Sequence, residues 1–270
     1  MDNCCLTSCP VEVMNLHFPN PVGLAAGFDR DGKMINRLNL AGFGFIEVGT
    51  INVNSELESN KELENIVRNL EHAKEQSTNQ ALIGLSLGSS RNEIDDHTVA
   101  DYLQGMEIFW HHADYIVINL SRPGSSMRSE AKNYAKLRYL LEKIKQRHTQ
   151  LCNKHNNHVP IITKVAIEYE NKNISQESLT IANQLEFDGL LIAYEHWPST
   201  ADVVASVSEI SVLTSQRPLI IVGGIKSADN ALKLIKAGAS LVQCYSLFAD
   251  QGSAGMKNMI NKLSLLAKEL

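Results

Sequence analysis

The stretch PLIIVGGIKSADNALKLIKAGASLVQCY, Pro218 to Tyr245, decides the fold. Pro218–Val222 is a short, apolar, β-branched run that stops at Gly223-Gly224. Ser227-Ala228-Asp229 then opens a helical pattern over Ala228–Lys236, Gly238 closes it, and Ser240–Tyr245 is a second apolar run. A serine ahead of a helix accepts from its unsatisfied amides, and a glycine behind it takes the left-handed turn that ends it. Strands that are apolar along their whole length, joined through a helix, belong to a parallel sheet covered on both faces.

Outward from that unit the same alternation fills the chain. Earlier runs are Pro21–Ala26, Phe43–Val48, Ala81–Leu87, Tyr115–Leu120, Pro160–Ala166 and Asp188–Ala193. Helical patterns cover Gly32–Leu40, Glu56–Glu75, Val99–His111, Ala131–Arg147, Gln176–Leu185, Asp202–Thr214 and Ala254–Lys268. Eight strands and eight helices in 270 residues predict an α/β fold, a single-domain (β/α)₈ TIM barrel. Periodicity alone also fits a doubly wound sheet. Residues 1–10 read as an N-terminal tail and residues 11–270 as the barrel, without linker or low-complexity block.

Charge and composition narrow the function. With 25 Lys+Arg against 30 Asp+Glu the net charge is −5, the wrong sign for a chain-wide nucleic-acid footprint. A local site for a small anionic ligand is compatible with that balance. No apolar run approaches the roughly 18 residues of a membrane span, so no integral membrane association is expected. Met1-Asp2-Asn3 carries neither a basic nor an apolar stretch, so no signal peptide is expected. The five cysteines include no Cys-x-x-Cys. Cys152 and Cys244 read as small core residues, and Cys4, Cys5 and Cys9 as thiols of the tail. A cytoplasmic, reduced setting is expected. Nine histidines show neither His-x-His nor His-Glu-x-x-His spacing, His111-His112 reads as a helix end, and no metal is predicted.

In a barrel of this kind the chemistry lies at the carboxyl ends of the strands. Gly223-Gly224 after the seventh strand and Tyr245-Ser246 after the eighth stand at the corner where such barrels bind phosphate, because glycine lets backbone N–H groups approach an oxyanion. Lys164 lies inside the apolar run Ile161–Val165, where an ammonium must be paired or used. Its uses include a Schiff base or electrostatic support of an electron-rich ring. Glu195-His196 after the sixth strand reads as a surface pair.

Three stretches then resemble one family. Asn20-Pro21-Val22-Gly23-Leu24-Ala25-Ala26-Gly27-Phe28-Asp29-Arg30-Asp31-Gly32, Gly42 to Thr50 (GFGFIEVGT) and Val222-Gly223-Gly224-Ile225 with Ala237 to Gln243 (AGASLVQ) are similar to class 2, membrane-type dihydroorotate dehydrogenases. Asn119, Lys164 and Asp188-Gly189-Leu190 follow in the family's order, and the likeness runs from about residue 11 onward. It implies an FMN-binding barrel that oxidises dihydroorotate to orotate in pyrimidine biosynthesis. It further implies cofactor contacts from Ala25, Ala26, Gly27, Thr50, Asn119 and Lys164, with a phosphate cradle of Gly223, Gly224, Tyr245 and Ser246. Ser86 stands where the family has a flavin-contacting asparagine.

The substrate side departs from the pattern. The family's Asn-x-Ser-Ser-Pro-Asn is here Asn119-Leu120-Ser121-Arg122-Pro123-Gly124, so Arg122 occupies the position of the catalytic serine base. Arginine stays protonated and cannot take a proton. Arg30 replaces a substrate lysine, and Ala193-Tyr194-Glu195-His196 replaces Thr-Asn-Thr-Thr, so Arg30, Arg122 and Tyr194 are the substrate-side candidates. Set against the resemblance, the family's N-terminal membrane extension is expected to be missing. A flavoprotein with altered or absent dihydroorotate chemistry is therefore expected. A catalytically inactive barrel that binds a phosphorylated ligand or a protein partner, and a Schiff-base enzyme using Lys164, are the other readings.

Overall fold

The computed structural model describes residues 9–56, 61–76, 81–91, 93–120, 131–168, 172–195 and 199–268. Arg122, Gly124 and His196, and with them Cys4 and Cys5, lie outside the described residues. Ten strands and eight helices occur among those described. A hairpin, β1 (Val11–Val13) and β2 (Leu16–Phe18), precedes the barrel. The barrel strands are β3 (Val22–Leu24), β4 (Phe45–Asn52), β5 (Leu82–Gly88), β6 (Tyr115–Asn119), β7 (Ile161–Glu168), β8 (Gly189–Glu195), β9 (Leu219–Val222) and β10 (Leu241–Cys244). All pair in parallel, in chain order, and β10 closes on β3. The closed circle settles the choice between barrel and doubly wound sheet.

The outer layer is α1 (Ile35–Asn39), α2 (Lys61–Gln76), α3 (Asp96–Phe109), α4 (Ala131–His155), α5 (Lys172–Gln184), α6 (Thr200–Leu213), α7 (Ala228–Lys236) and α8 (Ser246–Lys268). The Ser227 hydroxyl accepts from the Asn230 amide at the start of α7, and Gly238 adopts φ +115 at its end, as the sequence predicts. The largest departures from the expected helix bounds fall in three helices. α2 begins at Lys61 rather than Glu56, and α4 runs on to His155 rather than stopping at Arg147. α8 begins at Ser246, directly after β10, and is interrupted at Gly252 (φ 60, ψ −162) before the stretch predicted from Ala254. The glycine break hides the first segment from a periodicity count.

Strand parity divides the core. On β4, Ile46 and Val48 face the helices while Phe45 and Glu47 face the barrel axis. Inside, Phe45, Tyr115, Ile162, Leu191, Ile220 and Leu241 form a dry layer with Val117, and Phe18 of β2 is buried against it. Phe18 packs edge-on to Phe45 with ring centroids 5.4 Å apart. The hairpin therefore plugs the amino-terminal end of the barrel. Its alternation (Val11-Glu12-Val13, Leu16-His17-Phe18) is visible in the sequence, but strands of three residues fall below what a run of apolar residues reveals.

Candidate active site

At the carboxyl ends of the strands the dry layer gives way to a cavity of about 670 Å³. β3 leads into Ala25, Ala26 and Gly27, which line it together with Arg30. The loop behind them is tied down: the buried Asp29 carboxylate accepts from the Gly32 amide at 3.0 Å and the Met34 amide at 2.9 Å. Burial raises the pKa of that carboxyl above its ordinary value, against the lowering effect of the Met34 amide. The Gly27 amide donates to the Gly49 carbonyl at 2.7 Å, and the Gly49 amide to the Asp29 carbonyl at 3.0 Å, joining the first two loops.

Thr50 reaches the cavity through a bulge. The β4–β5 register shifts between Gly49 and Ile51, leaving Thr50 as the extra residue. Before the bulge the odd residues of β4 face inward; after it Ile51 and Val53 face the helices, and Thr50 and Asn52 line the cavity. An inserted residue re-aims every side chain that follows it. Asn119 Nδ2 donates to Thr50 Oγ1 at 2.8 Å, and Thr50 Oγ1 lies 3.2 Å from Ser86 Oγ. Ser86 is fully buried and braces Thr50 from behind, whereas Asn119 lines the cavity itself.

Lys164 borders the cavity from β7 and is not solvent-borne: its side chain is 10% exposed and its Nζ is 3.4 Å from Glu47 Oε1. Glu47 is completely buried, and its second oxygen accepts from Gln243 Nε2 at 2.6 Å. An ammonium with a buried carboxylate partner suits a fixed charge better than a nucleophilic amine, which must be neutral to attack a carbonyl.

At the corner after β9 and β10, Gly223 (φ +109) and Tyr245 line the cavity. A Cβ on Gly223 would lie 2.3 Å from the Tyr194 carbonyl oxygen, so only glycine lets the backbone pass there. Gly224 (φ +71) and Ser246 are the next residues in the chain and are not among those that line the cavity. Ser246 starts the helical segment that ends at Gly252, the kind of extra helix that shares the phosphate corner in this fold. Phe28 packs against Tyr245 and Phe248, with centroids 6.0 and 4.9 Å away, and walls this side.

On β8 the structure separates Tyr194 from Glu195. Leu191 faces the axis and Leu190 and Ile192 the helices, so Tyr194 points outward and Glu195 inward. The Tyr194 hydroxyl donates to Ser206 Oγ of α6 at 3.1 Å, and burial pushes its pKa up to about 12. Tyr194 borders the cavity, but its polar end is committed to the outer layer. Glu195, read from sequence as a surface residue, is the acidic side chain among the described lining residues. Counting in twos from Leu191 finds it. Arg30 lines the opposite side.

A family model for dihydroorotate dehydrogenase matches residues 8–61, 53–197 and 198–266. The chain belongs to the dihydroorotate dehydrogenase family. It is 32% identical to a dihydroorotate dehydrogenase (quinone) of Shewanella denitrificans over 96% of this chain and 88% of that one. A Shewanella baltica enzyme of the same name is 33% identical over 95% and 86%. Among solved structures, a dihydroorotate dehydrogenase of Eimeria tenella in complex with ferulenol superposes with TM-score 0.78 at 21% identity, covering 97% of this chain and 86% of that one. That likeness supports the barrel. Among the described residues no helix is long and apolar enough to cross a membrane.

Proposed function

We propose that the cavity holds FMN and that the chain is a flavoprotein of its family in which dihydroorotate oxidation is absent or very weak. One observation carries the first half. The small residues Ala25–Gly27, the Asn119–Thr50 pair, the partnered Lys164 and the glycine corner at Gly223 converge on one cavity. Its volume of about 670 Å³ lies within the roughly 300–1,000 Å³ typical of ligand pockets. The left-handed glycines at 223 and 224 fit a phosphate, because their amides can approach an oxyanion where a side chain would block it.

When bound, FMN would supply the hydride acceptor for oxidation of a carbon–hydrogen bond. The chain's residues would do the rest. Lys164, held by Glu47, places a fixed positive charge at the floor. Asn119 and Thr50 offer amide and hydroxyl groups beside it. Arg30 offers a guanidinium fork to an anionic ligand. The other half rests on what is missing for dihydroorotate. The position of the proton-accepting serine is Arg122, which stays protonated, and Glu195 faces inward where a second carboxylate would be repelled.

Loss of a general base costs about 10²–10⁴-fold in rate. The first measurement is an absorbance spectrum of freshly purified protein, followed by release and identification of the cofactor. A flavin spectrum with FMN released is expected; a colourless protein that binds a phosphorylated compound would favour the inactive barrel instead. The second is turnover of dihydroorotate with dichlorophenolindophenol as acceptor. Turnover at an ordinary enzymatic rate, on the order of 1 s⁻¹ or faster, would show that another residue supplies the base.

A further inference from the structure

The opposite rim of the barrel gathers a second set of reactive side chains. His148 and Cys152 lie four residues apart on α4, on one face of the helix. Beyond the helix the chain turns back through His158 into β7. Cys152 Sγ is 3.6 Å from His148 Nε2 and 3.7 Å from His158 Nδ1. The three atoms all lie within 4.8 Å of one another. On a tetrahedral zinc ion, with Zn–S about 2.3 Å and Zn–N about 2.0–2.1 Å, a sulfur and a nitrogen ligand are separated by roughly 3.5 Å. Both measured separations are close to that value before any metal is added.

A further contact has the same meaning. His158 Nε2 lies 2.8 Å from Asp188 Oδ1, and the other oxygen of that carboxylate accepts from the Ile161 amide at 2.9 Å. A carboxylate that accepts a hydrogen bond from Nε2–H holds the proton on that nitrogen, leaves Nδ1 with its lone pair and fixes the ring plane, as carboxylate–histidine–zinc arrangements do. His148 is buried, with its ring edge-on to Trp110, while His158 is exposed. The cluster therefore has a rigid inner side and an outer side open to water.

We propose that His148 Nε2, Cys152 Sγ and His158 Nδ1 form a site for a borderline-soft divalent cation of the zinc class. Asp188 is its positioning residue, and water fills the fourth place. On binding, Cys152 gives up its thiol proton. The His148 proton moves to Nδ1, because its Nε2, now 2.8 Å from the Val159 carbonyl, exchanges that hydrogen bond for the metal. The ion would clamp the end of α4 to the segment entering β7, at the end of the barrel away from the cavity. A structural role follows from that position. His148 and Cys152 form no sequence motif with His158, since the spacing His-x₃-Cys-x₅-His gains its meaning only when the chain reverses after α4.

The test is a Co²⁺ titration of the full chain, stripped with chelator and carrying Cys4→Ser, Cys5→Ser and Cys9→Ser so that the tail thiols contribute nothing. Difference spectra remove any flavin absorbance. One equivalent of Co²⁺ should produce the visible bands of tetrahedral cobalt with a sulfur-to-cobalt charge-transfer band, all displaced by Zn²⁺, and Zn²⁺ should raise the melting midpoint. Cys152→Ser should abolish the charge-transfer band. Asp188→Asn should keep the spectrum and weaken binding by about 10–100-fold. A pale octahedral spectrum, or bands that persist unchanged in Cys152→Ser, would overturn the site. The metal-free melting midpoint of Cys152→Ser establishes that the variant is folded and its spectrum meaningful.

Discussion

Between the two ends of the barrel interior the same strands change from hydrocarbon to polar groups within two residues. On β4 the step is Phe45 to Glu47, on β7 Ile162 to Lys164, and on β10 Leu241 to Gln243. Below it the rings of Phe45 and Tyr115 lie 6.3 Å apart, seated on Phe18, in a dry layer. Above it a completely buried glutamate is shared by a lysine and a glutamine at the floor of a large cavity. The lower layer is held by shape, through transfer of apolar surface and close packing. The upper one is held by charge pairing, which stabilises little by itself and penalises heavily the loss of one member. One architecture thus supplies an apolar base and a polar, charge-paired floor.

Breaking the upper rule should produce the largest effect. Lys164→Met leaves Glu47 buried without its cation and should lower unfolding free energy by about 3–5 kcal/mol. Adding Glu47→Gln should restore much of that loss in urea denaturation. A double variant as unstable as the single one would show that the two charges are not coupled. The lower rule is tested at Gly84, where a Cβ would meet the Tyr115 ring at 2.2 Å. Gly84→Ala should destabilise by about 1–3 kcal/mol through overpacking, without affecting retention of a cavity ligand.

Smaller effects sharpen the boundary. Thr50→Val removes the hydroxyl that joins Asn119 to Ser86 and should cost about 1 kcal/mol in stability. It should also loosen any bound cofactor, read as faster release on dilution, whereas Gly84→Ala should not. The smallest concerns His112, at the lower rim, whose pKa burial depresses below its ordinary value of 6.5. The unfolded chain therefore takes up a proton before the folded one does. Its contribution to stability is complete above that value and is lost as pH falls through it towards the folded pKa. His112→Gln should reduce the drop in melting midpoint between neutral and mildly acidic buffer; an unchanged drop would assign the dependence to other groups.

How much of this was legible in the chain depends on the range of the interaction involved. The alternation of apolar runs with capped helices is local, and it predicts each of the eight barrel strands, as at Pro218–Tyr245. The glycine corner was legible for the same reason, since the left-handed conformations of Gly223 and Gly224 are properties of one turn. Glu195 was legible in principle, because strand parity from Leu191 points it inward. Taking Glu195 for a surface residue conceals this, and only the structure shows that Tyr194, although it borders the cavity, bonds through its hydroxyl to Ser206.

Sequence by itself determined the alternating strands and helices, the family and the loops in which chemistry would be sought, because patterning, caps and turns act over a few residues; closure of the strands into a barrel was settled by their pairing. Tertiary structure decided the rest. The bulge that turns Thr50 toward the cavity exists only where β4 and β5 disagree in register by one residue. The carboxylate beneath Lys164 comes from a strand 117 residues away, and its second partner from one 196 residues from it. His158 meets Cys152 only because the chain reverses after α4. Contacts of this kind arise when the barrel closes, and a one-dimensional pattern carries no distance between residues that closure brings together.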